Sequence, residues 1–244
     1  TQNIEIQNAV YGGNFVGRSP EGKTVFVPYA LPGEQVEVRI TEDKKNYARG
    51  SLNKIITPSE ERRPARCRHF GICGGCHYQH IPYDRQLELK RGVVQDQFTR
   101  IGKFKDPVVN NVIPSPNEWN YRNTVQFHVS KNGKLGFQKS ASADTLEIEE
   151  CHLPELPIME LWQQLELDAE VEIERVVARS DSDGEMLLGL EIKGEETPDF
   201  NIDFPLSVVL LGKDQDVVLS GEPTSRFEIK GQEFVVSAGS FFQV

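Results

Sequence analysis

Apolar and polar residues alternate in several short runs over the first 56 residues of the chain. Alternation with a period of two is typical of strands that bury one face. Glycine and proline clusters separate these runs, as at Gly12-Gly13 and over residues 31–34. The pattern predicts four strands, at residues 4–10, 24–28, 35–40 and 47–56. Short strands at this spacing predict a closed or nearly closed β-barrel.

Helical and extended patterns follow one another in the rest of the chain. Apolar residues recur at helical spacing over residues 84–101, and a shorter helix is predicted over 155–167. Alternation and turn sequences predict three hairpins, formed by 123–130 with 135–137, 171–178 with 185–193, and 226–230 with 233–236. We therefore expect a mainly β protein with some α structure (α+β). It would have a barrel domain over 1–58 and a central antiparallel β domain over 59–244.

Charge is distributed unevenly along the 244 residues, whose formal net charge is −10. Lysine and arginine outnumber the acidic residues over 1–140, whereas 141–244 is strongly acidic. A basic region on an acidic protein predicts a nucleic-acid footprint, although ordinary solvated surfaces would give the same composition. The sequence opens without a signal peptide and has no apolar run long enough to span a bilayer. We therefore expect a cytoplasmic protein without a membrane partner.

Three of the four cysteines, Cys67, Cys73 and Cys76, lie within ten residues, and Cys151 lies far downstream. In a reducing compartment, four cysteines favour a metal site over disulfides. A structural zinc site usually has two closely spaced cysteine pairs, and this chain has one. The spacing therefore favours an iron–sulfur cluster, in which each cysteine binds a different iron atom, and leaves zinc as the alternative. Four neighbouring histidines are alternative ligands: His69, His77, His80 and His152.

The turns of the predicted barrel carry five basic residues: Arg18, Lys23, Lys44, Lys45 and Arg49. The aromatic residues Phe15 and Tyr47 are close to them in the sequence. Basic loops and aromatic side chains on a small barrel are typical of proteins that bind single-stranded nucleic acid. An aromatic core with lysines that keep the loops soluble is an equally good interpretation, so both stay open.

Three blocks of the barrel region, residues 11–18, 22–28 and 31–34, occur in the order found in a known domain family. They resemble the TRAM domain, an OB-like barrel present in several RNA-modifying enzymes. The resemblance covers about the first 58 residues. It implies RNA binding and leaves the reaction open.

The cysteine segment resembles a second family, the RNA 5-methyluridine methyltransferases. Six residues match the spacing of that family's cluster segment: Cys67, Cys73, Cys76, Gln79, Gln86 and Lys90. The resemblance implies that the three cysteines of this segment and Cys151 hold a [4Fe-4S] cluster.

Two further segments carry the same resemblance. Tyr121-Arg122-Asn123 resembles the family's Tyr-Arg-Asn next to the RNA, so Arg122 is a candidate phosphate clamp, with a structural ion pair as the alternative. Residues 237–244 resemble the segment that leads into the S-adenosylmethionine domain. The resemblance implies that Gln243 contacts the methyl donor or the target uracil and that Phe241 lines the same place.

The sequence shows no strand, Gly-rich turn and helix of the kind that binds a nucleotide-like cofactor. If all four cysteines bind a cluster, no thiol remains to add to C6 of uracil. We therefore expect the N-terminal and central part of an S-adenosylmethionine-dependent RNA (uracil-5-)-methyltransferase. The Rossmann-like catalytic domain and all catalytic residues would be absent, and this chain alone would be inactive.

The resemblance implies an RNA substrate, more often 23S rRNA than tRNA. Two alternatives stay open from the sequence. One is a stand-alone RNA-binding module with a structural zinc, and the other is a redox-sensing cluster protein without an RNA partner.

Overall fold

The computed structural model describes residues 1–165, 167, 171–193 and 205–242. The chain forms two compact units, the first made of residues 1–71 and 76–116 and the second of 72–75 and 117–244. The predicted boundary at residue 58 separates the barrel from the remainder of the first unit. No helix in the described ranges is long and apolar enough to cross a membrane.

A closed barrel of five strands forms the centre of the first unit, in the order β1-β2-β3-β5-β4. The strands are β1 (Gln2–Ala9), β2 (Asn14–Arg18), β3 (Thr24–Pro28), β4 (Gln35–Asp43) and β5 (Tyr47–Thr57). All neighbours are antiparallel except β3 and β5, which are parallel. Alternate residues such as Ile4, Val25 and Val36 point inward and are fully buried. The structure thus contains the barrel that the sequence predicts.

Strand β2 is the barrel strand that the sequence pattern did not reveal. Its two inward positions are Phe15 and Gly17, so only one of them carries an apolar side chain. A Cβ at Gly17 would collide with the backbone carbonyl of Glu5 on β1, which explains the glycine. The close approach of two strands therefore removed the alternation that would have predicted this one.

A buried ion pair ties the segment after the barrel to the turn between β3 and β4. Glu34 is fully buried, and Arg62 donates from Nε to Glu34 Oε1 at 2.6 Å and from Nη2 to Oε2 at 2.8 Å. Arg62 Nη2 also donates to the Tyr29 carbonyl. The backbone N–H groups of Leu31 and Ser59 donate to the same carboxylate. The segment that the sequence presents as a polar linker is therefore fixed to the barrel.

Helix α1 (Tyr83–Asp96) follows, and a π-helical turn continues it over Gln97–Ile101. Together they occupy the predicted range 84–101. Leu89 is buried in the same apolar cluster as the barrel core. The sequence leaves open whether this helix packs on the central domain or on the catalytic domain predicted to be absent, and Leu89 in fact packs on the barrel.

A seven-stranded sheet dominates the second unit, in the order β12-β11-β10-β9-β6-β7-β8. Its strands are β6 (Thr124–Val129), β7 (Leu135–Gln138), β8 (Thr145–Glu147), β9 (Ile173–Ser180), β10 (Met186–Ile192), β11 (Leu206–Leu210) and β12 (Val217–Ser220). Helix α2 (Leu156–Gln164) covers one face, with Ile158 and Leu161 buried. A separate hairpin consists of β13 (Thr224–Ile229) and β14 (Gln232–Ser237).

The central sheet is mixed, which corrects the prediction of an antiparallel domain. Strands β10 and β11 are parallel, from Met186 opposite Leu206 to Leu190 opposite Leu210. Strand β10 is buried on both faces, as is typical of a parallel pair inside a sheet. A continuously apolar strand has no alternation to reveal its partner, so this pairing could not be predicted from the sequence pattern.

Candidate functional site

An aromatic and basic surface lies on the outside of the barrel, across the parallel strands β3 and β5. The rings of Phe26 and Tyr47 meet edge to face with their centroids 5.8 Å apart. The Arg49 guanidinium lies 6.0 Å from the centre of the Tyr47 ring. Both rings are half-buried, so each keeps an exposed part. This arrangement can stack an unpaired base and contact its phosphate, as single-strand binders do.

The structure divides the candidate aromatic residues differently from the sequence. Phe15, which was grouped with Tyr47, is fully buried in the barrel core. The sequence does not point to Phe26. It lies next to Tyr47 because Thr24 pairs with Tyr47, and Phe26 with Arg49, across the neighbouring strands β3 and β5. The parallel pairing of two distant strands brings them together, and no local sequence signal predicts it.

Carboxylates accompany most of the predicted basic residues. Lys23 lies 2.5 Å from Asp43, whereas Lys44 and Arg49 lie 3.0 and 3.3 Å from Glu42. The hydrogen bond from Lys44 to Glu42 raises the pKa of that lysine. These pairs are partly or largely exposed, so they are weak and a phosphate group can replace the carboxylate.

The remaining two basic residues of the barrel differ in their surroundings. Arg18 donates to the Gly22 carbonyl at 3.1 Å and to Thr24 Oγ1 at 2.8 Å, so its guanidinium is held along β3. Lys45 is exposed in the turn between β4 and β5. Both stand on the barrel surface, as the sequence predicts, although nothing in the structure tests a contact with RNA.

Cys67 and Cys76 belong to the first unit. The Cys67 backbone N–H donates to Gln79 Oε1 at 3.0 Å, and the His69 backbone N–H lies 3.4 Å from Cys67 Sγ. Gln79 is buried, so its amide fixes the start of the cysteine segment. In the sequence Gln79 is only one residue of a matching spacing, and the structure gives it this positional role.

Cys73 and Cys151 belong to the second unit. Cys73 forms an isolated bridge with Lys139, and the Gly75 backbone N–H lies 3.4 Å from Cys73 Sγ. The Gly74 N–H donates to the Gln138 carbonyl at 3.0 Å. Cys151 is half-buried against the apolar core of the sheet.

No disulfide links the four cysteines, all of which are half-buried. Over the described ranges, no group of three or more His, Cys, Asp or Glu residues is arranged to hold a metal ion. The backbone N–H groups near two sulfurs are the kind of donors that stabilise a thiolate ligand. The predicted cluster ligands thus remain a prediction that the local backbone of Cys67 and Cys73 supports.

His80, an alternative ligand in the sequence, is a core residue of the first unit. It is 2% exposed, and its Nε2 lies 2.9 Å from the Ala30 carbonyl oxygen. Its ring contacts those of Phe15 and Phe70. Burial lowers the pKa of His80 to about 4, so the imidazole is neutral at neutral pH.

Arg122 lies just before β6, with its side chain exposed. Its backbone bridges to residues 153–155, because the Arg122 N–H donates to the Leu153 carbonyl and the Glu155 N–H donates to the Arg122 carbonyl, both at 2.9 Å. The two bonds fix the backbone and leave the guanidinium facing solvent. Such a position suits the predicted phosphate clamp.

The segment 237–242 crosses the face of the sheet opposite α2. Ala238 is buried against Leu187 and Val209. Arg179 on β9 donates to the carbonyls of Ser237 and Ser240 at 2.8 and 2.5 Å. Sequence reasoning missed Arg179, although an arginine inside the apolar run of β9 was a visible signal.

Of the two residues predicted to contact the methyl donor or the uracil, Phe241 is described by the structure and Gln243 is not. Phe241 is 89% exposed, next to Phe242, whose ring contacts those of Phe227 and Phe234. Gln243 lies outside the described residues. The contact of either residue with a methyl donor or a uracil therefore stays a prediction.

Comparison with known proteins decides the nature of the barrel. Residues 1–52 match the TRAM domain family. The barrel is therefore similar to TRAM domains. This confirms the resemblance noted in the sequence, with limits close to those of the closed barrel.

Several curated relatives are RNA methyltransferases by name. An RNA methyltransferase of Aquifex aeolicus is 38% identical over 65% of this chain and 37% of its own length. The 23S rRNA (uracil(1939)-C(5))-methyltransferase of Methylococcus capsulatus is 41% identical over 54% of this chain and 30% of its own. An RNA methyltransferase of Halalkalibacterium halodurans is 31% identical over 99% of this chain and 60% of its own. The chain thus spans at most about 60% of these relatives.

A solved structure has the same fold. The tRNA (uracil-54, C5)-methyltransferase of Pyrococcus abyssi, determined with S-adenosyl-L-homocysteine, superposes with a TM-score of 0.69 and 22% identity. The superposition covers 98% of this chain and 61% of that one. At this identity the likeness concerns the fold.

These matches correct three linked predictions. We expected a chain without a Rossmann-like catalytic domain, the recognition portion of an enzyme, and inactivity in isolation. The matches to methyltransferases extend over 99% of the chain in sequence and 98% in structure, which contradicts these three predictions, and they span about 60% of those relatives' own length. The same matches leave the zinc module and the redox sensor without support.

Proposed function

We propose that this protein is an S-adenosylmethionine-dependent RNA methyltransferase that acts on C5 of uracil. The observation that carries the proposal is the match to an RNA methyltransferase of Halalkalibacterium halodurans over 99% of the chain. The solved enzyme with this fold acts on uracil C5 and holds S-adenosyl-L-homocysteine, the product form of the methyl donor. The TRAM domain supports an RNA substrate independently, because it matches a separate family.

RNA recognition is the role we assign to the barrel surface. Tyr47 and Phe26 offer partly exposed rings to a base, and Arg49 lies over Tyr47 where it can meet a phosphate. The exposed lysines of the neighbouring turns add charge that attracts the backbone without reading its sequence. Arg122 supplies a further exposed guanidinium in the second unit.

The reacting base is the partner we assign to the segment 237–242 and to Gln243 beyond it. Methylation at C5 requires a nucleophile that adds to C6 and a base that removes the C5 proton, so the uracil must leave its stack and be held in one orientation. Phe241 presents an almost fully exposed ring that can contact the flipped base. The amide of Gln243 would hydrogen bond to the base or to the methyl donor.

A [4Fe-4S] cluster held by Cys67, Cys73, Cys76 and Cys151 is part of the proposal. Support comes from the backbone N–H groups directed at Cys67 Sγ and Cys73 Sγ. When bound, the cluster would supply four iron–thiolate bonds and no electron, since methyl transfer from a sulfonium involves no net redox change. The four cysteines, bound to the cluster, would hold the segments around residues 67–76 and 151 in place.

Ribosomal RNA is the substrate class that we propose. The relative named for 23S rRNA is 41% identical where it matches, whereas the solved tRNA enzyme shares 22% and supports the fold alone. The two substrates are separable by offering each RNA transcript to the same preparation.

Release of tritium from RNA labelled at C5 of uridine tests the proposed reaction. Each methyl transfer expels the C5 proton, so tritium should appear in water only when S-adenosylmethionine is added. RNA labelled at C6 is the matched control and should retain its label. Tritium release that does not depend on the methyl donor, or no release from either RNA class, would contradict the proposal.

A further inference from the structure

We propose that Arg179 is a positioning residue that fixes the backbone of segment 237–242 so that Phe241 faces the reacting base. The inference rests on the proposed function and adds a residue that neither the sequence motifs nor the comparisons single out.

The guanidinium of Arg179 holds the two ends of a tight turn. Nη1 donates to the Ser237 carbonyl at 2.8 Å and Nη2 to the Ser240 carbonyl at 2.5 Å. The Ser240 N–H closes the same turn onto the Ser237 carbonyl at 3.0 Å. Because the guanidinium is planar and rigid, its two nitrogens fix the spacing of the two carbonyl oxygens. One side chain therefore determines the shape of residues 237–240.

Arg179 is itself held firmly. Its residue is 1% exposed, and its Nε donates to Thr124 Oγ1 at 3.2 Å. Thr124 and Leu187 are its direct neighbours on the two adjoining strands. Burial lowers the pKa of the Arg179 guanidinium, because removal from water disfavours the charged form. Its three acceptors are uncharged oxygens, and among the residues that the structure describes the charge gains no ion pair in return.

Burying a charge without a carboxylate partner costs free energy of folding. An apolar side chain of similar volume often serves as well or better for stability. What an apolar side chain cannot do is bind two carbonyls in a fixed geometry. The arginine is therefore better explained by the position of the turn than by the packing of the sheet.

A second contact fixes the segment beyond the turn. The Phe242 ring lies 4.9 Å from that of Phe227 and 5.8 Å from that of Phe234, measured between centroids. These two residues face each other across the β13–β14 hairpin. The hairpin is joined to the β9–β10 turn, because the Ser182 N–H donates to the Arg226 carbonyl.

Phe241 is left between the two fixed points. Its neighbour Phe242 turns toward the hairpin, and Phe241 stays 89% exposed. An exposed phenylalanine with a fixed backbone on both sides is arranged to meet a ligand. Without the hydrogen bonds from Arg179, the turn can shift while the Phe242 ring stays on the hairpin. Phe241 would then move relative to the base.

The test compares Arg179→Met with Arg175→Met in the full-length protein. Arg175 is on the same strand, is 42% exposed and pairs with Glu191, so it controls for loss of an arginine from β9. Hydrogen exchange followed by mass spectrometry should show at least about tenfold faster exchange at residues 237–242 in Arg179→Met. Exchange of the β13–β14 hairpin should stay as in the wild type, and Arg175→Met should change neither region. Unchanged exchange at 237–242 in Arg179→Met would overturn the proposal.

Kinetics add a readout that a purely structural role would not produce. We expect kcat for uracil methylation to fall about a hundredfold in Arg179→Met, the loss that a misplacement of about 1 Å can cause. KM for RNA should stay within about twofold, because the barrel surface is unchanged. Arg179→Lys keeps the charge and one hydrogen bond, so its kcat should be intermediate. A raised KM with wild-type kcat in either variant would contradict a positioning role.

The two proposals fail in different ways. If the wild-type protein methylates no RNA, the proposed function fails, and the exchange measurement alone decides the role of Arg179. If Arg179→Met does not fold, Arg179→Lys provides both readouts, and wild-type exchange and kcat in that folded variant would refute the inference.

Discussion

Replacing Arg62 by methionine should destabilise the first unit far more than its position in a polar linker suggests. Arg62 makes a two-pronged ion pair with Glu34, with distances of 2.6 and 2.8 Å. The Glu34 side chain is fully buried, and that of Arg62 is 19% exposed. The variant therefore leaves a buried carboxylate without its cation, although two backbone N–H groups still donate to it.

The expected loss is about 3–5 kcal/mol, the usual cost of removing one partner of a buried pair. Since every 1.4 kcal/mol or so is a factor of ten, the opening constant of the barrel should rise by about a hundredfold to several thousandfold. Hydrogen exchange of peptides from β1 and β3 at increasing urea concentrations measures this opening. The double variant Arg62→Met with Glu34→Met should recover much of the loss, because no charge is then buried alone.

Arg85→Met is the matched control. Arg85 also pairs with two carboxylates, of Glu61 and Glu88, but all three side chains are substantially exposed. Exposed pairs contribute up to about 1 kcal/mol, so the barrel should exchange nearly as in the wild type. A loss in Arg62→Met as small as that of the control would refute the assignment of a stabilising role to the buried pair.

Three further predictions concern RNA binding, acid stability and the cluster. Tyr47→Ala should weaken the binding of single-stranded RNA, measured by fluorescence anisotropy, by about 1–3 kcal/mol. Arg49→Gln should reduce the slope of log K against log[salt] by about one in the same assay. Tyr11→Ala removes an exposed tyrosine from the first barrel turn and should change neither quantity. The pKa of His80 is about 4 in the folded protein and about 6.5 unfolded, so the unfolded state binds the extra proton between these values. The free energy of unfolding should therefore fall by up to about 3 kcal/mol as the pH drops from 6.5 to 4. Urea unfolding of His80→Gln should lack this part of the loss, and the same pH dependence in the variant and the wild type would contradict the prediction. Cys73→Ser should lose the visible absorbance and the iron of an anaerobically purified sample, whereas a colourless wild type with stoichiometric zinc would exclude the cluster.

Much of the fold was predictable because it depends on local patterns. The predicted ranges lie close to those of β3, β5 and the hairpin of β6 with β7. Alternation and tight turns depend on a few adjacent residues, so the sequence alone predicts them. Strands β8 and β12 are short, and β12 is largely exposed, so they offered too little alternation to be recognised.

The candidate site was less predictable because it depends on contacts between distant residues. Phe26 and Tyr47 meet through a parallel pair, and Arg179 reaches residues about sixty positions away. Motif spacing identified Phe241 and the cysteines but could not show which side chains hold them. The charged residues of the barrel were found by type, and only the structure shows that Glu42 and Asp43 accompany them.

The most direct test of the account is the nucleoside analysis of RNA treated with the protein. Ribosomal RNA transcripts are incubated with S-adenosylmethionine carrying a deuterated methyl group, digested to nucleosides and analysed by mass spectrometry. The account predicts 5-methyluridine that carries the deuterated methyl group, with none formed when the methyl donor is omitted. Labelled methyl groups on another nucleoside, or no labelled nucleoside from rRNA or tRNA, would contradict it.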